Sequence, residues 1–237
     1  MPMSHVLLIN PNTSADVTER LVGQLRPWCP PDLPLIGLTA EFGEPYIATE
    51  AAYVVAGHAV LEAFHHHVDE HGLPRAVLVG CFGDPAVWAL RTEAPEVPVI
   101  GLAEAAMREA QAIGPFAIVT GGHAWAPMLE RLARGLRLGG PDGLQQVHTV
   151  EASGGELAAD PEAAQAMLRE ACLQVARATP RLAAVVLGGA VLGGWAAPIA
   201  PLLPCPLIDN VEAGGRWLSR VLGLPAEPGH VVADGAG

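Results

Sequence analysis

Short apolar runs punctuate the chain. They fall at Val6–Ile9, Leu35–Leu38, Ala76–Val79, Val97–Ile100, Phe116–Val119, Gln146–Val150, Ala183–Leu187 and Pro206–Ile208. Each is long enough for a strand, and several are apolar at every position, the pattern of a strand covered on both faces. Between them apolar residues recur at helical spacing. Val17, Leu21 and Leu25 share one face, Leu61, Phe64 and Val68 a second, Met128 and Leu132 a third, and Met167, Ala171 and Val175 a fourth. Thr13 and Asp16 stand at capping-box spacing before the first of these helices. Strands alternating with helices predict βαβ units and a mainly parallel sheet, an α/β fold. The final stretch, AEPGHVVADGAG, has no periodicity and is expected to be a mobile tail over residues 225–237.

The pattern repeats. HVLLINPNTS at the start matches FAIVTGGHAW from Phe116, AVLVGCFGDP from Ala76 matches AVVLGGAVLG from Ala184, and VPVIGLAEA from Val97 matches CPLIDNVEA from Cys205. The shifts agree to within a few residues, so two similar lobes follow one another in a pseudo-two-fold arrangement. The expected division is residues 1–104 plus 210–224 for the first lobe and 105–209 for the second. Ligands of open α/β sheets bind beyond the carboxyl ends of the strands. The loops Asn10–Thr13, Cys81–Asp84, Thr120–His123 and Gly188–Ala190 are therefore expected to converge on a cleft between the lobes.

Composition narrows the function. The 237 residues are 51% hydrophobic and carry a net charge of −12, with 13 Lys and Arg against 25 Asp and Glu. Such a chain has no basic face for nucleic acid or for an anionic membrane. No apolar run approaches the ~20 residues of a bilayer span. The N-terminal MPMSHVLLIN lacks the basic region of a signal peptide, so a cytoplasmic protein is expected. The four cysteines, Cys29, Cys81, Cys172 and Cys205, lie far apart with no CxxC spacing, which argues against a disulfide framework or zinc knuckle. The apolar surplus leaves room for a homo-oligomer.

Cys81 follows a strand, in a loop whose backbone N–H groups precede a helix expected to start near Asp84 or Pro85. A helix N-terminus there lowers a thiol's pKa. The bland alternative is a packing cysteine. Asn10, Asn12 and Thr13 in INPNT read either as a helix cap or as donors for a substrate carboxylate or carbonyl. Thr120, Gly121 and Gly122 hold the same place in the second lobe. In FHHHVDEH, His67 and His71 are four residues apart, but three successive His point in different directions, so no metal site is expected. The glycine-rich GGAVLGGW lacks the lysine and hydroxyl residue of a phosphate loop and GxGxxG spacing, so no nucleotide is expected.

INPNTS, GCFGDP, PVIGLAEAA and PLIDNVEAG, in that order over residues 5–223, resemble the aspartate/glutamate/hydantoin racemase superfamily, and its hydantoin racemase branch above all. The resemblance implies two Rossmann-like lobes, an interlobe active site and no cofactor. It also implies a pair of cysteines, one per lobe. One takes the proton from the substrate α-carbon while the other delivers a proton to the opposite face, as cofactor-free inversion requires. The first falls on Cys81. The second falls in Leu187-Gly188-Gly189-Ala190, where Gly189 stands in place of the thiol.

Three readings follow. In the first, an isomerase acts on a hydantoin, amino acid or related compound through Cys81, with His123 the preferred group for the opposite face and Asp84 and Asp209 behind it. Asn10, Thr13, Thr120 and the N–H groups of Phe82, Gly83, Gly189 and Ala190 then hold carboxylate or enolate oxygens. Glu50, Asp84 and Asp209 orient loops or bind polar substrate groups, although Glu50 also reads as a helix start after Thr49. The second is a one-cysteine decarboxylase similar to the arylmalonate decarboxylases. The third is a non-catalytic protein that binds small carboxylates through Asn10, Asn12 and Thr120.

Overall fold

A computed structural model describes residues 5–179 and 181–225; residues 226–237 of the expected tail lie outside them. The chain forms two four-stranded parallel sheets of the same order, β2-β1-β3-β4 and β6-β5-β7-β8. The strands are β1 (Val6–Asn10), β2 (Leu35–Thr39), β3 (Ala76–Val79), β4 (Val99–Gly101), β5 (Phe116–Gly121), β6 (Leu144–Val150), β7 (Ala184–Leu187) and β8 (Leu207–Asp209). The helices are α1 (Ala15–Leu25), α2 (Glu50–His71), α3 (Val87–Glu93), α4 (Leu102–Ile113), α5 (Trp125–Gly135), α6 (Gly154–Ala159), α7 (Pro161–Ala178) and α8 (Asn210–Val221).

Central strands β1, β3, β5 and β7 contain the all-apolar runs. Leu7, Leu8, Val77, Leu78, Ile118 and Val186 are fully buried, because helices cover both faces. Alternation sorts the first lobe into two layers. Val6, Leu8 and Leu78 face a core that runs on through the second lobe, while Leu7, Ile9, Val77 and Val79 face α2 and α3. The repeat persists in three dimensions: β3 and β7, β4 and β8, and α4 and α8 each begin 108 positions apart.

The lobes exchange helices. α4 follows β4 yet packs on β7, β8 and α8, while α8 follows β8 yet packs on α1 and β3. Local chemistry sets the helix ends. The Thr49 hydroxyl accepts from the Ala52 N–H at 3.1 Å to start α2. Ser153 and Glu156 form a capping box on α6, and Asp160 with Pro161 opens α7.

Four local expectations need correction. Ser14, not Thr13, is the N-cap of α1, and its side chain makes no cap bond. The helix after Cys81 begins at Val87, not near Asp84 or Pro85, because Asp84 and Ala86 adopt positive φ and hold the chain in a turn. β5 runs two residues past Val119. Met167 is 42% exposed, and Leu168 takes its place in the α7 face beside Ala171 and Val175. None of the described helices is long and apolar enough to cross a membrane.

Candidate active site

The carboxyl ends of the central strands face a common cavity. Asn12 follows β1, Gly80, Cys81 and Phe82 follow β3, Thr120 and Gly121 end β5, and Gly188 to Leu192 follow β7. Tyr46 and Ile47 of the β2–α2 loop, Gly154 and Leu157 of α6, and Trp125 of α5 complete the wall. The strand ends are held alike in the two lobes: the Gly80 N–H donates to the Ile9 carbonyl at 2.8 Å, and the Gly188 N–H to the Val119 carbonyl at 2.9 Å.

Two close approaches lock the lobes around this cavity. The Phe82 ring from the first lobe lies against Gly188, where any Cβ would overlap it. The Trp125 ring from the second lobe lies in the same way against Gly83. Glycine at 83 and 188 is thus a requirement of aromatic packing across the cleft.

Cys81 is 6% exposed. Its amide closes a tight turn to the Val79 carbonyl at 2.9 Å, and its carbonyl accepts from the Gly83 N–H at 3.0 Å. Burial first, and the nearby Asp84 carboxylate second, push the Cys81 thiol well above its ordinary pKa. The activation expected from a helix N-terminus is therefore absent, since α3 starts six residues away and burial dominates. Both effects favour the neutral thiol over the thiolate.

Donors line the same cavity as the thiol. Asn12 is buried, and its Oδ1 accepts from Asn10 Nδ2 at 2.8 Å and from the Ser14 N–H at 2.9 Å. That fixes the amide and leaves its Nδ2 without a bonded acceptor among the described residues. The hydroxyl of buried Thr120 and the amides of Phe82 and Gly189 are likewise unengaged there. Backbone donors and fixed dipoles of this kind can hold a developing oxyanion. No charged side chain is among the described residues lining the cavity.

Of the residues expected to touch substrate, Cys81, Asn12, Phe82, Thr120, Gly121, Gly189 and Ala190 line the cavity. The others do not. Asn10 is fully buried, and its Nδ2 is spent on Asn12, the Ser14 carbonyl and Thr18 Oγ1. The Thr13 amide donates to the Glu44 carbonyl. Gly83 lies under Trp125, and its carbonyl accepts from the Tyr53 hydroxyl at 2.9 Å. The Gly122 amide is bonded to the Val150 carbonyl at 3.1 Å. His123 is exposed, with Nδ1 3.4 Å from Thr149 Oγ1, because the longer β5 carries it past the cavity.

The three carboxylates lie outside the cavity lining and are bonded elsewhere. Asp84 is buried and caps α4, its oxygens accepting from the N–H groups of Ala103 at 2.9 Å and Glu104 at 2.7 Å. Burial still pushes its pKa up, to about 7, against those donors. Asp209 caps α8 through Val211 and Glu212 and also takes the Gly194 N–H at 2.7 Å. Both tie down the loops that bear Cys81 and Gly189. Glu50 makes a paired ion contact with Arg131 across the lobes, at 2.7 and 3.0 Å, and its place at the start of α2 is the helix reading.

Sequence reasoning missed Tyr46, Ile47, Trp125 and Leu157. The β2–α2 and β6–α6 loops carry neither a motif nor a period. Only the rule that loops at the carboxyl ends of parallel strands converge could have pointed to them.

Two similar parallel lobes, with a thiol and a set of amide donors at their shared strand ends, define a two-lobed α/β protein with an interlobe cleft. The Asp/Glu/Hydantoin racemase family model matches residues 6–216, and the chain belongs to that family. It is 26% identical over 220 residues to a hydantoin racemase of Pseudomonas sp. (strain NS671), covering 92% of this chain and 86% of that protein. Among solved structures, allantoin racemase from Klebsiella pneumoniae is 27% identical, with a TM-score of 0.82 over 94% of this chain and 90% of that one. Arylmalonate decarboxylase shares the fold at 18% identity, with a TM-score of 0.61 over 92% of each chain.

Proposed function

We propose that the chain moves a proton, without a cofactor, at the α-carbon of a small neutral ring carbonyl compound of the hydantoin type, with Cys81 as acid and base. The observation that carries this reading is the placement of the Cys81 thiol in a cavity whose other polar groups are neutral donors. Ring carbonyls and ureido oxygens match such donors. The side-chain carboxylate of aspartate or glutamate would enter without a cationic partner, at a substantial desolvation cost. The names of the relatives point the same way.

The chemistry follows from the donors. Removing the α-proton leaves an electron pair that spreads onto the adjacent carbonyl oxygen. Thr120 Oγ1, Asn12 Nδ2 and the Phe82 and Gly189 amides, all from residues that line the cavity, are the donors proposed to hold that charge. Cys81 first gives its own proton to solvent and then takes the α-proton as thiolate; reprotonation of the planar enolate by the thiol restores the centre, and reprotonation from the opposite face inverts it.

A second reading has a specific observation behind it. A buried, neutral Cys81 opposite a glycine suits one-thiol decarboxylation, in which loss of carbon dioxide makes the enolate and the thiol only protonates it. Leu157, Val191 and Leu192 give that cavity an apolar side that favours carboxylate loss.

One panel separates the readings. The protein is incubated in deuterium oxide with 5-benzylhydantoin, allantoin, α-amino acids and phenylmalonate. The proposal predicts α-deuteration and loss of optical rotation with the ring compounds. Carbon dioxide release from phenylmalonate, with no exchange of the hydantoins, would replace it with the second reading. No turnover of any compound would leave a binding protein.

A further inference from the structure

The cavity lacks a second thiol, and its other proton-bearing side chains differ widely in acidity. The hydroxyl of Thr120, the amide of Asn12 and the indole of Trp125 are very weak acids. Tyr46 is the exception, because a phenol is a far stronger acid than an alcohol, an amide or an indole. Its ring leaves the first lobe in the β2–α2 loop and lies against Gly154 and Gly155 of the second. A Cβ on Gly155 would stand 3.1 Å from the ring, so this glycine admits it. A Cβ on Gly154 would stand 3.9 Å both from Tyr46 and from Val191, two residues after Gly189. Tyr46 thus lines the same cavity as Gly189 and packs by Gly154, which also borders Val191 of the loop that carries Gly189.

Two further observations agree. A side chain at 189 has little room: φ there is +146°, and Leu192 lies 3.0 Å from the position of a Cβ. The Tyr46 hydroxyl makes no hydrogen bond among the described residues, whereas that of Tyr53 is committed to the Gly83 carbonyl at 2.9 Å.

We infer that Tyr46 is the proton carrier on the face of the substrate opposite Cys81, in place of the thiol absent at Gly189. The inference rests on the racemase reading above. In one direction the Cα–H bond breaks and its proton goes to the Cys81 thiolate. The electron pair moves onto the carbonyl oxygen. The Tyr46 O–H bond then breaks, its proton goes to the other face of the carbon, and the enolate pair forms the new C–H bond. Solvent reprotonates the phenolate and takes the proton from the thiol, so the balance closes. In the other direction the phenolate is the base and the thiol the acid.

The test is Tyr46→Phe, which keeps the ring and removes the proton. Separate enantiomers of 5-benzylhydantoin are incubated in deuterium oxide with wild type, Tyr46→Phe and Cys81→Ala. The result expected for Tyr46→Phe is inversion slowed at least ~100-fold, with continued deuteration of one enantiomer at retained configuration. That surviving one-faced exchange shows that the variant is folded and binds. Inversion by Tyr46→Phe at the wild-type rate overturns the inference. So does an equal fall in exchange of both enantiomers, which marks Tyr46 as a binding residue. Wild type without exchange or inversion instead sinks the racemase reading beneath it.

Discussion

Gly188 illustrates how one residue sets the site. A Cβ there would overlap the Phe82 ring, so Gly188→Ala must push apart a contact between the lobes. Overpacking of this kind costs typically 1–3 kcal/mol. Urea denaturation is expected to show such a loss, and Phe82→Leu in the same chain to recover part of it. Loss of the same size with Phe82→Leu present would mean that the ring is not the obstacle. Gly189 behaves differently, since its limit is backbone and Leu192 together. Gly189→Cys alone is expected to leave inversion rates no higher than wild type, by chiral chromatography, because the new side chain meets Leu192 from a strained φ. Cys81 itself was legible as a residue in a post-strand loop. Its protonation was not, because burial depends on the second lobe closing over it.

At the scale of elements, strands were easier to read than site loops. The central strands were legible nearly to the residue, because runs such as AVLV are buried on both faces and leave no ambiguity of period. The carboxylates were not. Asp84 finds its partners 19 and 20 residues away on α4, and no local signal announces such a cap. His123 was misplaced for a simpler reason: two more residues in β5, then a turn at Gly122 with φ +83°, take it out of the cleft. Caps of this kind contribute about 1–2 kcal/mol. Asp209→Ala is expected to cost that much or slightly more, as it also frees the Gly194 amide, and thermal denaturation measures it. The docking of α2 on β1 has its own pH signature. His67 and His5 are both buried, with Nε2 atoms 2.7 Å apart. Burial, then His5 and His71, lower the His67 pKa to about 4, against a smaller opposing pull from Glu70. In the unfolded chain His67 titrates near 6.5, so the unfolded state binds more protons below that pH. Stability is therefore full above about pH 6.5 and falls as pH drops toward 4. His67→Gln, which cannot titrate, is expected to flatten this slope in denaturation midpoints measured across that range. An unchanged slope would clear His67 of the effect.

For the whole molecule, the reciprocal packing of Phe82 on Gly188 and Trp125 on Gly83 makes the cleft a joint product of both lobes. Exchange of α4 and α8 between the lobes binds them further. The repeat foretold two lobes and a cleft between them. It could not foretell that the loops after β2 and β6 also reach the cavity, because they differ in length and chemistry between the lobes. If the aromatic packing shields Cys81, Trp125→Ala is expected to speed iodoacetamide alkylation of Cys81 while leaving that of Cys205, the half-exposed cysteine, unchanged. Equal rates in both proteins would show that the ring is no barrier.

The central claim is that Cys81 carries the α-proton. Its most direct test is proton NMR of 5-benzylhydantoin in deuterium oxide with wild type and with Cys81→Ala. Wild type is expected to replace the α-proton of each separate enantiomer with deuterium, and the variant to do so at least ~100-fold more slowly for the enantiomer whose α-hydrogen faces position 81. Exchange of both enantiomers by Cys81→Ala at the wild-type rate would contradict the account.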